Sequence, residues 1–246
     1  MNELIEIGTV HALYRHPVKS MRSERLTEGH LYWHGLDGDR RFAFVRGDVT
    51  SSFPWLTGRQ IPQITQYRPF FVDPDDVINS QIRVETPDGH ILSLDSPELH
   101  QELMAAYQGP VSLINIGRGT FDSQPFSLMS LATADALSAT LGHTIDYRRF
   151  RQNLILETQE NRPFLEESWL DSQLIIGDGA NPCRIRLNRR IQRCIMVTID
   201  PDTAQKEPEI LKIIAQTRGN CVGVYASIEI PGLIRTGDPV YWRHTL

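Results

Sequence analysis

The stretch Cys183–Asp202, CRIRLNRRIQRCIMVTIDPD, reads as two strands, and that reading makes this a β-rich chain. Apolar and polar residues alternate over 183–187 and again over 193–199, the two-residue period of a half-buried strand. In the second run Ile195, Val197 and Ile199 fall on one face, expected to be the core face. Cys194, Met196 and Thr198 fall on the other. Between Cys183 and Cys194 lie Arg184, Arg186, Arg189, Arg190 and Arg193, with no acid among them. Neighbouring cations lower a thiol pKa from its usual value of about 8.5. A thiol so placed can be a soft metal ligand, a nucleophile or a small core residue. The residues alone leave all three open.

Outward from this stretch the same period recurs. Strands are expected at 4–14, 26–33, 41–45, 81–85, 90–94, 111–116, 153–157, 173–177, 221–228 and 233–242. The proline-rich segment 53–75 reads as loop with short extended pieces. Three helices interrupt the strands. Ser96-Pro97-Glu98 starts the first with a capping serine, proline at the first position and an acid at the positive end of the dipole. The second spans 130–141 and stops at Gly142. The third spans 207–217 and stops at Gly219. Regular strand–helix alternation is missing, so the expected class is α+β, mostly β, and rich in β-barrel. The pattern breaks at 117–119, which suggests two domains, 1–118 and 119–246.

The chain has 246 residues and a net charge of −5, which argues against nonspecific nucleic-acid binding. No apolar run is long enough for a membrane span, and the N-terminus lacks the apolar core of a signal peptide. A cytoplasmic protein with no membrane partner is expected. Three cysteines without a C-x-x-C pair are expected to be free thiols. Cys183 and Cys221 fit strands beside aliphatic residues and read as structural. His30 and His34 share a predicted strand, where four-residue spacing does not suit a metal. Phosphate-loop, dinucleotide and nucleophile-elbow motifs are absent. Against the acidic background, Arg148, Arg149 and Arg151 form a second basic cluster. His16-Pro17-Val18-Lys19-Ser20 and Gly38-Asp39-Arg40-Arg41 add cations and a hydroxyl at strand ends. Such groups suit a phosphate, or simply solvated strand edges that resist aggregation.

Several ordered motifs resemble the MOSC family, the molybdenum-cofactor sulfurase C-terminal domain proteins. They are His16–Ser20, Gly35–Phe42 (GLDGDRRF), Arg149–Ile155 (RFRQNLI), Glu166–Trp169 (EESW), Arg193–Thr203 (RCIMVTIDPDT) and Ile234–Val240 (IRTGDPV). The resemblance spans almost the whole chain. It implies a MOSC β-barrel, pyruvate-kinase-barrel-like, packed with an N-terminal β-barrel-type domain. It implies that Cys194 is the catalytic residue and the protein ligand of molybdenum in the molybdenum cofactor (Mo-molybdopterin). Pterin dithiolene and oxo groups supply the other ligands in such relatives, and a thiolate is the soft donor such a metal prefers. It also implies that the pterin phosphate is held at Lys19, Ser20, Arg40, Arg149, Arg151 and Asn153, with further contacts at Ser127 and Ser130.

One residue departs from the pattern. Relatives often carry a small polar residue two positions before the cysteine, and here it is Gln192, a longer group that reaches a different atom. The implied activity is that of the amidoxime-reducing enzymes, a two-electron, two-proton reduction of small N-hydroxylated compounds. The chain ends at Leu246 without a fused iron–sulfur domain. Electrons are therefore expected from a separate protein of ferredoxin, cytochrome b5 or flavoprotein type. Two alternatives have different chemistry: a sulfur or cofactor carrier working through a Cys194 persulfide or thiolate, and a noncatalytic binding module that has kept the barrel.

Overall fold

Strands dominate the structure, a computed structural model that describes residues 4–117, 119 and 121–243. The first half holds β1 (Leu4–Arg15), β2 (Glu24–Leu26), β3 (Glu28–Tyr32), β4 (Gly35–Leu36), β5 (Phe42–Arg46), β6 (Arg68–Phe71), β7 (Ile82–Glu85), β8 (Ile91–Ser93), α1 (Pro97–Tyr107) and β9 (Val111–Asn115). The second holds β10 (Phe126–Ser130), α2 (Leu131–Leu141), β11 (Leu154–Thr158), β12 (Gln173–Ile176), β13 (Cys183–Gln192), α3 (Pro208–Arg218), β14 (Cys221–Ile230), β15 (Gly232–Arg235) and β16 (Pro239–Arg243). The chain is thus α+β and mostly β.

One sheet runs β11-β10-β14-β13-β12-β16-β1-β2, and pairing of β1 with β11 closes its first seven strands into a barrel. Closure leaves none of those seven strands as an open edge. The N-terminal strand therefore belongs to the same barrel as the strands of the second half. Alternation along each strand sorts its side chains. Leu128, Leu154, Leu156, Ile185, Leu187 and Val240 fill the interior. Met129, Ile155, Ala12 and Tyr14 point outward, where Leu137 of α2 and Ile210 and Ile214 of α3 cover them. A second core lies under the small sheets β5-β9 and β6-β7-β8 with α1, around Phe44, Leu56, Ile64, Val84, Leu99 and Leu103.

The helices begin and end as their capping residues direct. Ser96 accepts from the Leu99 amide (3.3 Å) and Ser130 from the Thr133 amide (3.3 Å), each satisfying one orphan donor of the first turn. Gly142 and Gly219 close α2 and α3 in the left-handed region (φ 81° and 59°).

The stretch 193–199 is not a strand. β13 runs unbroken over ten residues to Gln192. Cys194 then caps a 3-10 turn, Ile195–Thr198. Local bonds replace the ladder there. The Val197 amide donates to the Cys194 carbonyl (3.2 Å), the Ile199 amide to Met196 (3.2 Å), and the Thr198 hydroxyl to Ile195 (2.7 Å). The face assignment by strand parity therefore fails: Thr198 is buried along with Val197 and Ile199. Cys194 is nevertheless exposed. Two other expected strands split. The segment 26–33 divides into β2 and β3, and 233–242 divides into β15 and β16 around a turn in which the Asp238 carboxylate accepts from the Arg235 amide (2.7 Å).

Candidate functional site

Cys194 lies just past the end of β13, where the chain leaves the barrel wall. The cleft it faces is also lined by Lys19, Ser20, Arg40, Ser127, Arg149, Arg151 and Gln192. Residues from five separate segments of sequence thus meet at one place. Of the positions expected to hold an anion, only Asn153 is outside the lining. It stands behind it, fully buried. Its Nδ2 donates to the Tyr14 carbonyl (3.2 Å), and its Oδ1 accepts from the Ser127 hydroxyl (3.1 Å) and from Arg40 (3.4 Å). Ser130 is also set apart, since its hydroxyl caps α2 and donates to the buried Glu166 carboxylate (2.9 Å).

The N-terminal wall is built where β1 ends. The Lys19 amide donates to Phe42 (2.8 Å) and the Arg40 amide to the His16 carbonyl (2.6 Å), which crosses the two basic segments over each other. Asp39 is buried between them and accepts from the His16 amide (2.7 Å) and the Arg40 guanidinium (2.5 Å). Burial alone raises the Asp39 pKa, but Arg40 and the His16 hydrogen bonds hold it down at about 2. Burial, then repulsion from Arg40 and Arg151, pushes the His16 imidazole down to about 3.

This gives an acid-stability prediction. The folded protein keeps His16 neutral, whereas the unfolded chain protonates it below its ordinary value of 6.5. The unfolded state therefore binds more protons, and stability falls as pH drops from about 6.5 toward 3. Replacing His16 by glutamine should flatten that limb between pH 6.5 and 4 in denaturant titrations. An unchanged slope would show that His16 does not set it.

Three of the cleft residues have left-handed backbones without being glycine: Ser20 (φ 70°), Arg40 (φ 50°) and Arg151 (φ 52°). Each such position costs of order 1 kcal/mol, and strain of this kind gathers at functional sites. The cations differ in their commitments. Lys19 pairs with Asp122 (2.6 Å), Arg40 with Asp39, and Arg149 with Asp200 (2.9 Å) and Glu207. Arg193 donates Nε to the Val222 carbonyl (2.8 Å) and Nη1 to Phe150 (2.8 Å). The remaining arginines of the run 184–193 serve elsewhere. Arg186 binds Glu229, Arg189 binds Ser123, and Arg190 binds the Arg218 carbonyl. The run is therefore not a single anion site: of its arginines only Arg193, just past the end of β13, is buried and lines the cleft.

Arg193, buried, and Arg151, half-buried with its Nη2 turned inside, form the floor and take part in no ion pair among the described residues. Burial lowers the Arg151 pKa to about 9, helped by repulsion from Arg40, and lowers Arg193 to about 10. Arg151 Nη2, Arg193 Nη2 and both amide atoms of Gln152 are buried without a hydrogen-bond partner among the described residues. Buried polar groups are nearly always paired, so a cluster of orphans marks a place for a polar ligand. Gln152 and Tyr225 line this cleft too, and sequence reading missed both. The only signal for Gln152 was its place inside Arg149–Ile155.

The floor is shaped by a bulge. The β13–β14 register shifts between Arg190 and Gln192, opposite Gly223 (φ 73°). A side chain on Gly223 would meet the Gln152 amide, the Leu128 carbonyl (2.9 Å) and Arg193 Nη2 (3.2 Å). The extra residue also moves Val222 to the outer core while Val224 stays inside. Gly223→Ala should therefore cost about 2 kcal/mol or more in denaturation and disturb the floor. A loss under about 0.5 kcal/mol would mean the bulge is plastic.

The comparisons with known proteins agree with this architecture. A family model described as "MOSC domain" matches residues 115–241, and one described as "MOSC N-terminal beta barrel domain" matches 7–110. Mitochondrial amidoxime-reducing component 1 of Homo sapiens is 33% identical over 135 residues, covering 49% of this chain and 37% of that protein. The chain thus spans well under two thirds of that relative's length. The protein of the same name from Xenopus laevis is 24% identical over 297 aligned positions, covering 97% of this chain and 83% of its own. Among solved structures, the YUAD protein from Bacillus subtilis superposes with a TM-score of 0.54 at 12% identity, covering 100% of both chains, which is a likeness of fold.

Proposed function

Because the chain belongs to the MOSC family, we propose that it holds the molybdenum cofactor in this cleft and reduces small N-hydroxylated compounds, with electrons from a separate donor protein. The observation that carries the reading is an exposed thiol, Cys194, beside a buried floor of orphaned donors. The donor set suits the group. A phosphate carries about −1.5 to −2 charges near neutrality, and Arg151 and Arg193 offer two positive charges, each with a buried, unpartnered Nη2. Gln152 Nε2 adds a neutral donor. Among the described residues no three His, Cys, Asp or Glu side chains gather to hold a metal. A metal at Cys194 therefore needs its other ligands from a cofactor. A persulfide carrier would need the thiol but not the orphaned floor, so the floor favours the cofactor reading.

In this reading Cys194 is the metal ligand, while Arg151, Arg193, Gln152, Lys19, Ser20 and Arg40 bind the anionic end. Asn153 and Asp39 orient Arg40 from behind. Gln192, directly before Arg193, lines the cleft and supplies an amide beside the metal ligand. Arg149 lines the wall, with its guanidinium held by Asp200 and Glu207. When bound, the cofactor supplies a centre that exchanges an oxygen atom and two electrons with the substrate. The overall change is cleavage of the N–O bond: two electrons and two protons enter, and the hydroxyl oxygen leaves as water.

No described helix is long and apolar enough to cross a membrane. The test is anaerobic turnover of an aryl amidoxime by cofactor-loaded protein, with a reduced viologen as artificial donor. Formation of the amidine in step with viologen oxidation supports the proposal. No amidine from protein that carries molybdenum would contradict it.

A further inference from the structure

The turn Thr57–Ile61, which belongs to the N-terminal half, leans over the residues that follow Cys194. It is rigid. The Thr57 amide donates to the Gln60 side chain (3.1 Å), the Arg59 amide to the Thr57 hydroxyl (3.2 Å), and the Ile61 amide to the Thr57 carbonyl (3.1 Å). Gly58 lies so close that an added Cβ would be 2.5 Å from Ile199 Cδ1 and 2.9 Å from Met196 Sδ. The backbone of Arg59 is therefore held beside the same cleft, which its exposed side chain helps to line.

Charge matching singles Arg59 out. The cleft is lined by six cations, Lys19, Arg40, Arg59, Arg149, Arg151 and Arg193, and by one carboxylate among the described residues, Asp122. Lys19, Arg40 and Arg149 already have carboxylate partners. The charge of a cofactor phosphate, about −1.5 to −2, is matched by Arg151 and Arg193, while Lys19 and Arg40 add N–H donors to it with their own charges already balanced by Asp122 and Asp39. That leaves Arg59, which forms no ion pair among the described residues, as the unmatched positive charge at the mouth. The same cleft is also lined by apolar groups, Phe53, 41% exposed, with Phe121 and Met196.

We propose that Arg59 is a specificity-determining residue and that the cleft prefers N-hydroxylated compounds with a flat apolar body and an anionic end. The aromatic walls take the body and Arg59 takes the anion, a pairing suited to a planar guanidinium and a carboxylate. This rests on the reductase reading of the same cleft, so the experiment separates the two.

Holoprotein is assayed with a pair of aryl amidoximes that differ only in a para carboxylate, and the carboxylated compound is also titrated calorimetrically. The wild type should favour the carboxylated substrate in kcat/KM by about tenfold, the scale of one hydrogen-bonded charge pair. Arg59→Gln should bring that ratio to about one, Arg59→Glu should invert it, and binding of the carboxylated compound should weaken about tenfold in Arg59→Gln. Turnover of both substrates at a ratio that Arg59→Gln leaves unchanged overturns the inference and spares the reductase reading. No turnover of either, with binding still dependent on Arg59, overturns the reductase reading and supports anion recognition. No turnover and no Arg59-dependent binding overturns both.

Discussion

Exchanging Arg151 for methionine is expected to stabilise the cofactor-free protein and, at the same time, to weaken cofactor retention by about two orders of magnitude. Arg151 is a half-buried cation whose Nη2 is buried and orphaned, and it has no ion-pair partner among the described residues. Burial, then repulsion from Arg40, holds its pKa near 9, below its ordinary 12.5. At neutral pH it is charged in both folded and unfolded chains, and the folded state disfavours that charge. The penalty fades as pH rises from about 9 toward 12.5, because the folded state releases the proton first. Replacing a poorly compensated, half-buried charge by an apolar side chain of similar length should therefore add about 1 kcal/mol to stability near pH 7. The same change removes a charge-assisted donor to the phosphate, at about 2–3 kcal/mol. Opposite signs are the mark of a residue kept for binding. Denaturation of the cofactor-free variant, set beside its cofactor content as purified, reads both. If stability and retention fall together, Arg151 is a structural residue.

Cys194→Ser is expected to remove turnover, by at least about 10³-fold, with almost no change in stability. The side chain is exposed, and no hydrogen bond to its thiol is formed among the described residues. Stability within about 0.5 kcal/mol of wild type is therefore expected. A serine hydroxyl is a hard, neutral donor in place of a soft thiolate, and it cannot hold a soft metal in the same way. Turnover within tenfold of wild type would show that the metal does not depend on this side chain.

Much of this protein can be read from its sequence, though not always for the right reason. The capping residues Ser96, Ser130, Gly142 and Gly219 announce the helices because caps act locally. Alternation announces most strands for the same cause. Cys194 was expected off the core face from strand parity, and it is exposed because the strand has already ended. A 3-10 turn of β-branched and apolar residues carries the same letters as a strand, and only the hydrogen bonds distinguish them. The arginine run was legible as charge and not as geometry. Arg186, Arg189 and Arg190 find partners outside the cleft, on β14, in the loop before β10 and at the end of α3, and only Arg193 turns inward. The bulge at Gly223 depends on the register of β13, and Gln152 is singled out by what it lacks, a partner. Neither property belongs to a segment read alone. The turn carrying Arg59 lies in a segment read as loop, more than a hundred residues before the cysteine it overlooks.

The central claim is that Cys194 and the buried floor together hold a molybdenum cofactor. Molybdenum per chain should be measured in protein expressed in a host that makes the cofactor, for wild type and Cys194→Ser prepared side by side. The account predicts about one equivalent in the wild type and a marked loss in the variant. Less than about a tenth of an equivalent in the wild type, or equal metal in both, would contradict it.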